Sequence, residues 1–207
     1  MRTTNWYVLA FVGTCLLLSG CSQPRTEKVE RTDEYGYLES YERRLEDFAK
    51  EGLYRKMKPD GTVVEEAYYR HDTLHGIRIL YHDNGDTSVV EHYHAGRFDG
   101  PYRRYHENGK LQQVGQYEDN ALAGVWTTYY ANGQVREVVN FANNQENGPF
   151  VEYYPNGQLK AEGQYLDGDN EDGELKLYNE AGKLVRIMDC DKGRCKTRWK
   201  AEGAEDK

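Results

Sequence analysis

Beyond residue 50 the apolar positions of this chain alternate with polar ones in short runs, the period-two signature of half-buried strands, and the runs recur. One glycine series falls at Gly61, Gly85, Gly109, Gly133, Gly157 and Gly182. A second falls at Gly52, Gly76, Gly100, Gly124, Gly148 and Gly173, and both step by 24 residues and once by 25. Asp60, Asn84, Asn108, Asn132 and Asn156 precede five of the first series. Asn-Gly and Asp-Gly between alternating runs predict two-residue type I′ hairpin turns, in which both central residues take positive φ. Aromatic columns run in register with the turns: Tyr81, Tyr105, Tyr129, Tyr153 and Tyr178 before them, and Tyr69, Tyr93, Tyr117, Phe141 and Tyr165 after them. A third, looser column follows the second glycine series at Tyr54, Arg78, Tyr102, Trp126, Phe150 and Leu175. The predicted fold is all-β: an elongated antiparallel meander of about six 24-residue hairpin repeats over residues 52–199. A lone hairpin is marginal in water, so each must bury its rings against the next.

The ends differ. Leu38, Tyr41, Leu45 and Phe48 recur at spacings of three and four, which predicts a short amphipathic helix in an N-terminal cap over residues 35–51. Gly36 and Gly52, spaced like Gly157 and Gly173, fit a degenerate half-repeat equally well. Residues 21–34 are polar and read as a flexible tether, and residues 200–207 as a disordered tail.

Residues 1–20 have the layout of an export signal: Arg2, a largely apolar stretch from Trp6 to Leu18, then small residues. Leu18-Ser19-Gly20-Cys21 resembles the lipobox of bacterial lipoproteins. That resemblance implies cleavage after Gly20, diacylglyceryl on the Cys21 thiol and acylation of the new amino terminus, enough chains for stable anchoring. Ser22, where Asp would signal retention, implies the outer membrane, with the protein facing the periplasm. Cys190 and Cys195 are then the cysteines left to the mature domain, and in an oxidising compartment they are expected to form a disulfide capping the last unit.

The segment Gly124-Val-Trp-Thr-Thr-Tyr-Tyr-Ala-Asn-Gly-Gln-Val-Arg-Glu-Val-Val-Asn-Phe, closing at Gly148, resembles the bacterial MORN-repeat variant, as does Pro149 through Leu159. The resemblance spans about residues 52–190 and departs at Met57 and Ala181, in the terminal units. It implies a non-catalytic binding protein. Relatives of the YwqK type carry an antitoxin label, and an exported, lipidated protein could apply such a role only to a toxin met in the envelope.

Charge and chemistry narrow the partners. The 207 residues carry a net charge of −8, and loss of Arg2 makes it −9, which repels nucleic-acid phosphates. Ser22, Ser40 and Ser88 stand in no nucleophile elbow. The six histidines, His71, His75, His82, His92, His94 and His106, are crowded in sequence, but the repeat register spreads them over both ends of the hairpins, so no metal and no cofactor is expected. Asp167 through Asp172 lacks calcium-loop spacing. The chain is therefore expected to be no enzyme, held to a membrane by its lipid, with a protein partner. Trp126, Tyr130, Phe150 and Tyr154 are the expected recognition surface; envelope glycan, peptidoglycan or polysaccharide, is the alternative ligand for such rings.

Overall fold

The computed structural model describes residues 24–203; the lipobox with Cys21 and residues 204–207 lie outside the described residues. Its strands are β1 (Thr26–Thr32), β2 (Leu38–Arg44), β3 (Lys50–Met57), β4 (Val63–Arg70), β5 (Thr73–Tyr81), β6 (Thr87–His94), β7 (Arg97–Phe98) and β8 (Gly100–Tyr105). They continue as β9 (Leu111–Glu118), β10 (Ala121–Tyr129), β11 (Val135–Ala142), β12 (Gln145–Tyr153), β13 (Leu159–Tyr165), β14 (Gly173–Tyr178), β15 (Leu184–Asp191) and β16 (Arg194–Lys200). All lie in one antiparallel sheet in chain order from β1 to β16, with short β7 pairing beside β6. No helix occurs among the described residues.

Two expectations at the N-terminus are corrected. The helix is absent: Leu38 and Tyr41 lie in β2 and pair with Met57 and Tyr54 of β3, the half-repeat solution. Within the tether, residues 26–32 form β1, paired with β2 from Thr26↔Arg44 to Thr32↔Leu38. This strand lacks an apolar face. Its pairing is dressed by polar links across the ladder, Arg43 to Glu27 at 2.7 Å and Arg31 to Glu39 at 2.6 Å. Opposite charges across strands support register without burial.

The turn assignment is also corrected. At Asn132-Gly133 only the glycine has positive φ (92°); the Gly133 amide donates to the Tyr130 carbonyl at 2.8 Å and Tyr130 pairs with Gln134. This is a three-residue loop, a type I turn closed by a left-handed glycine, rather than a two-residue I′ turn. The I′ geometry sits at the opposite end of the hairpins: Asp119 and Asn120 (φ 49° and 71°) and Asn143 and Asn144 (φ 52° and 67°) each have positive φ twice running. Asn and Asp tolerate that region. The second glycine series lies within the strands, where the ladder slips, as between Val139 and Phe141 opposite Gly148.

The core is one row across one face of the sheet, the inner face. Tyr54 pairs with Ala67, Tyr102 with Gly115, Trp126 with Val139 and Phe150 with Gly163. A large ring thus faces a small or branched residue at each step. Trp126 is 2% exposed and Phe150 4%. Gly115 and Gly163 have ordinary strand backbones, so space alone selects them: a Cβ on Gly115 would collide with Cδ2, Cε2 and Cε3 of Trp126, and one on Gly163 would lie 3.0 Å from Phe150 Cε1. Rings of the second column complete the stack, with Tyr117 edge-on to Trp126 at 5.3 Å and Tyr165 stacked on Phe150 at 4.1 Å.

In the second unit a charge replaces the ring. Arg78 reaches Glu65 at 2.8 Å and Glu91 at 3.3 Å, and the Tyr93 hydroxyl donates to the buried Glu91 at 3.1 Å. Burial and the Glu91 charge push the Tyr93 phenol up to about 12. One unit earlier the Lys50 ammonium sits 5.0 to 5.2 Å from the ring centroids of Tyr41, Tyr54 and Tyr69, a cation–π cluster closing the N-terminal end of the row.

Candidate recognition cleft

The hairpins stack through side chains that reach one repeat forward. His82 and His106 donate from Nε2 to the carbonyls of Tyr105 and Tyr129 at 3.1 Å, and the Tyr130 and Tyr154 hydroxyls donate to Tyr153 and Tyr178 at 2.8 and 2.9 Å. These four residues occupy one column at steps of 24. The turn asparagines form a second ladder. Asn108, Asn132 and Asn156 each donate from Nδ2 to a carbonyl of the next turn, at 2.8 Å to Ala131, Pro155 and Glu180. Their Oδ1 atoms meanwhile accept from their own turn, as at Gln134 N, 2.9 Å. Asparagine therefore does here what aspartate cannot, because only the amide carries both a donor and an acceptor.

Between this turn edge and the ring row a furrow runs along the inner face. It deepens over the last units into a cleft of about 510 Å³. Phe150, Ala161, Leu175 and Leu177 form its apolar floor, while Glu152, Lys160 and Arg186 stand on its rim. Lys160 and Glu152 are paired at 2.5 Å. Across the strands Glu152 faces Glu137, and burial together with the Glu152 charge raises the Glu137 carboxyl above the usual carboxylate range. Burial and Glu146 likewise raise the Tyr165 phenol beside the floor. An apolar floor ringed by a few fixed charges suits an apolar group carried on a polar chain.

The structure redistributes the expected recognition residues. Trp126 is buried in the ring row and cannot contact a ligand, so an exposed strip led by its indole does not exist. Phe150 is mostly covered and contributes to the cleft floor, and Tyr154 lines the same cleft. Tyr130 lies in the furrow one unit earlier, beside Glu137 and Lys160. Cys190 and Cys195 face each other across β15 and β16 at disulfide distance, Cα atoms 4.0 Å apart. Cys21 lies outside the described residues. The histidines serve the stack or pair locally: His92 Nδ1 lies 2.7 Å from the Pro101 carbonyl and the His75 and His94 rings are 5.3 Å apart. Among the described residues no three His, Cys, Asp or Glu side chains come together as metal ligands.

Sequence reasoning missed Gly115 and Gly163, which belong to neither regular glycine series. Their signal was their own spacing of 48, two repeats, each opposite a ring. It also missed Leu177 and Arg186, whose role appears only once β14 and β15 are side by side.

No curated protein matches the chain. The sequence profile of the MORN repeat variant matches three consecutive segments, residues 98–119, 122–143 and 146–167. Each matched segment is one hairpin of the sheet, β7 to β9, β10 with β11, and β12 with β13. The chain is thus a repeat protein whose three central hairpins are similar to the MORN repeat variant.

Proposed function

We propose that this chain is a non-catalytic lipoprotein of the bacterial envelope, anchored to the outer membrane through Cys21 and facing the periplasm, that binds a protein partner. The observation that carries the binding reading is the cleft over Phe150, Leu175 and Leu177, an apolar site on whose rim Glu152 and Lys160 are already paired with each other. A group entering it gains burial beside a charge pair that is already satisfied. MORN repeat variants at the centre of the chain support a binding role. The lipobox-like Leu18-Ser19-Gly20-Cys21 supports the anchor. Burial of Trp126 removes the largest ring on which glycan recognition would have rested.

The test is capture from envelope extract. Leu177→Glu, a charge on the cleft floor, is expected to abolish capture of a stoichiometric protein, whereas Val125→Glu on the opposite, exposed face is expected to leave it intact. Equal capture by both variants would contradict the cleft. Cys21→Ala is expected to release the protein from membranes; retention would contradict the anchor.

A further inference from the structure

We propose that the free edge of β16 docks an extended acidic segment of a partner protein, which adds to the sheet as one more strand. Three observations converge there. First, β16 pairs with β15 and ends the strand order, so among the described residues its other edge has no neighbouring strand. An unpaired edge presents backbone donors and acceptors to any extended chain. Second, its seven residues hold Arg194, Lys196, Arg198 and Lys200 and no acid, in a chain of net charge −8. Arg198 is engaged with Asp189 at 2.9 Å and with Glu174, but Arg194 and Lys196 are exposed and carry no ion pair among the described residues. Third, Trp199 is 44% exposed on this strand.

Charge on an edge strand also keeps sheets apart. The opposite edge, β1, does this with balanced charge that is largely consumed internally, Glu27 with Arg43, Arg31 with Glu39 and Lys28 with Glu30. β16 differs in having a surplus of one sign and an exposed indole, and an indole protects no edge. Basic side chains two apart, beside a large ring, fit a strand with acidic residues at i and i+2 and an apolar residue nearby. A second copy fits poorly, because the acids of its β1 edge are already paired. An anionic membrane would meet the basic side chains but offers no extended backbone to pair with the edge. Moreover, β16 lies fourteen strand intervals from β1, about 65 Å along the sheet at ordinary strand spacing, at the opposite end of the strand order.

The surface is separate from the cleft, and the proposal rests on the protein-binding reading only for the class of partner. Full-length protein in detergent micelles is titrated into a labelled short peptide alternating Glu with Val, and into the same peptide interrupted by proline. The alternating peptide is expected to bind at least about tenfold more tightly, and Arg194→Glu with Lys196→Glu to weaken it about tenfold. Leu177→Glu should bind the peptide as the parent does, so failure of the cleft and failure of the edge are read separately. Equal binding of the interrupted peptide, no binding of either, or full displacement by vesicles of anionic phospholipid would each overturn strand addition.

Discussion

Trp126 occupies the space that a side chain at Gly115 would need: a Cβ there would overlap Cδ2, Cε2 and Cε3 of the indole, although Gly115 has ordinary strand geometry. The ring covers the neighbouring backbone, which is how a single sheet buries an indole to 2% exposure without a second layer.

Gly115→Ala is therefore expected to destabilise by about 1 to 3 kcal/mol through overpacking. Gly124→Ala, at φ 65° with nothing within 4 Å of a Cβ, is expected to lose stability through backbone strain alone. Asparagine separates the two causes in urea unfolding. Gly124→Asn should recover much of the loss because Asn tolerates positive φ, and Gly115→Asn should be worse than Gly115→Ala. Trp126→Ala should cost about 3 to 5 kcal/mol.

The turn ladder predicts an isosteric effect. Asn132→Asp keeps the acceptor for Gln134 N and loses the donor to the Pro155 carbonyl, so it should destabilise by about 0.5 to 1.5 kcal/mol. Asn156→Asp should behave alike, its donor reaching Glu180. Asp60 already lacks that donor, and Asp60→Asn is expected to lose nothing of this kind. Denaturation midpoints of the three variants check the ladder.

Two carboxylates should show opposite pH dependence. Burial and the Glu152 charge raise Glu137 in the folded state, so the folded protein holds that proton more tightly than the unfolded chain. Its contribution falls as pH rises out of the unfolded carboxylate range through the raised folded value. Glu137→Gln should be more stable than the parent at pH 7, with the gain fading towards pH 4. The hydrogen bond from Arg55, joined by that from Tyr81, lowers Glu66, whose contribution is present above its unfolded value and lost as pH falls through the folded one. Glu66→Gln should therefore lose stability at pH 7. Thermal melts of both variants across this range check the signs.

Cys190 sits in the ring column and Cys195 opposite it on β16. A link closing so short a loop is worth about 2 kcal/mol in the chain-entropy account. In a stack held by neighbours, reduction should expose the amides of β16 to hydrogen exchange while β9 through β12 keep their protection. Uniform loss of protection would show instead that the sheet opens as one body.

The meander was legible because one period governs glycines, asparagines and rings together, and a 24-residue repeat leaves few other ways to bury Tyr and Phe. The turn geometry was not. Asn-Gly suits both the two-residue and the three-residue loop, and the choice depends on how Tyr130 pairs with Gln134. β1 was missed because its partners in the next strand, Arg43 and Glu39 among them, are polar, which leaves no hydrophobic pattern to read. Trp126 was placed outside because alternation tells which residues share a face, not which face the rings close over. Gly115 is the residue that decides it.

Each hairpin rests on its sequence neighbours alone. Small-angle scattering of the parent and of a chain lacking residues 122–145, one whole repeat, tests it most directly. The shortened chain is expected to stay folded, with a maximum dimension smaller by about 10 Å, two strand spacings. A shortened chain that is unfolded, or one as long as the parent, would contradict it.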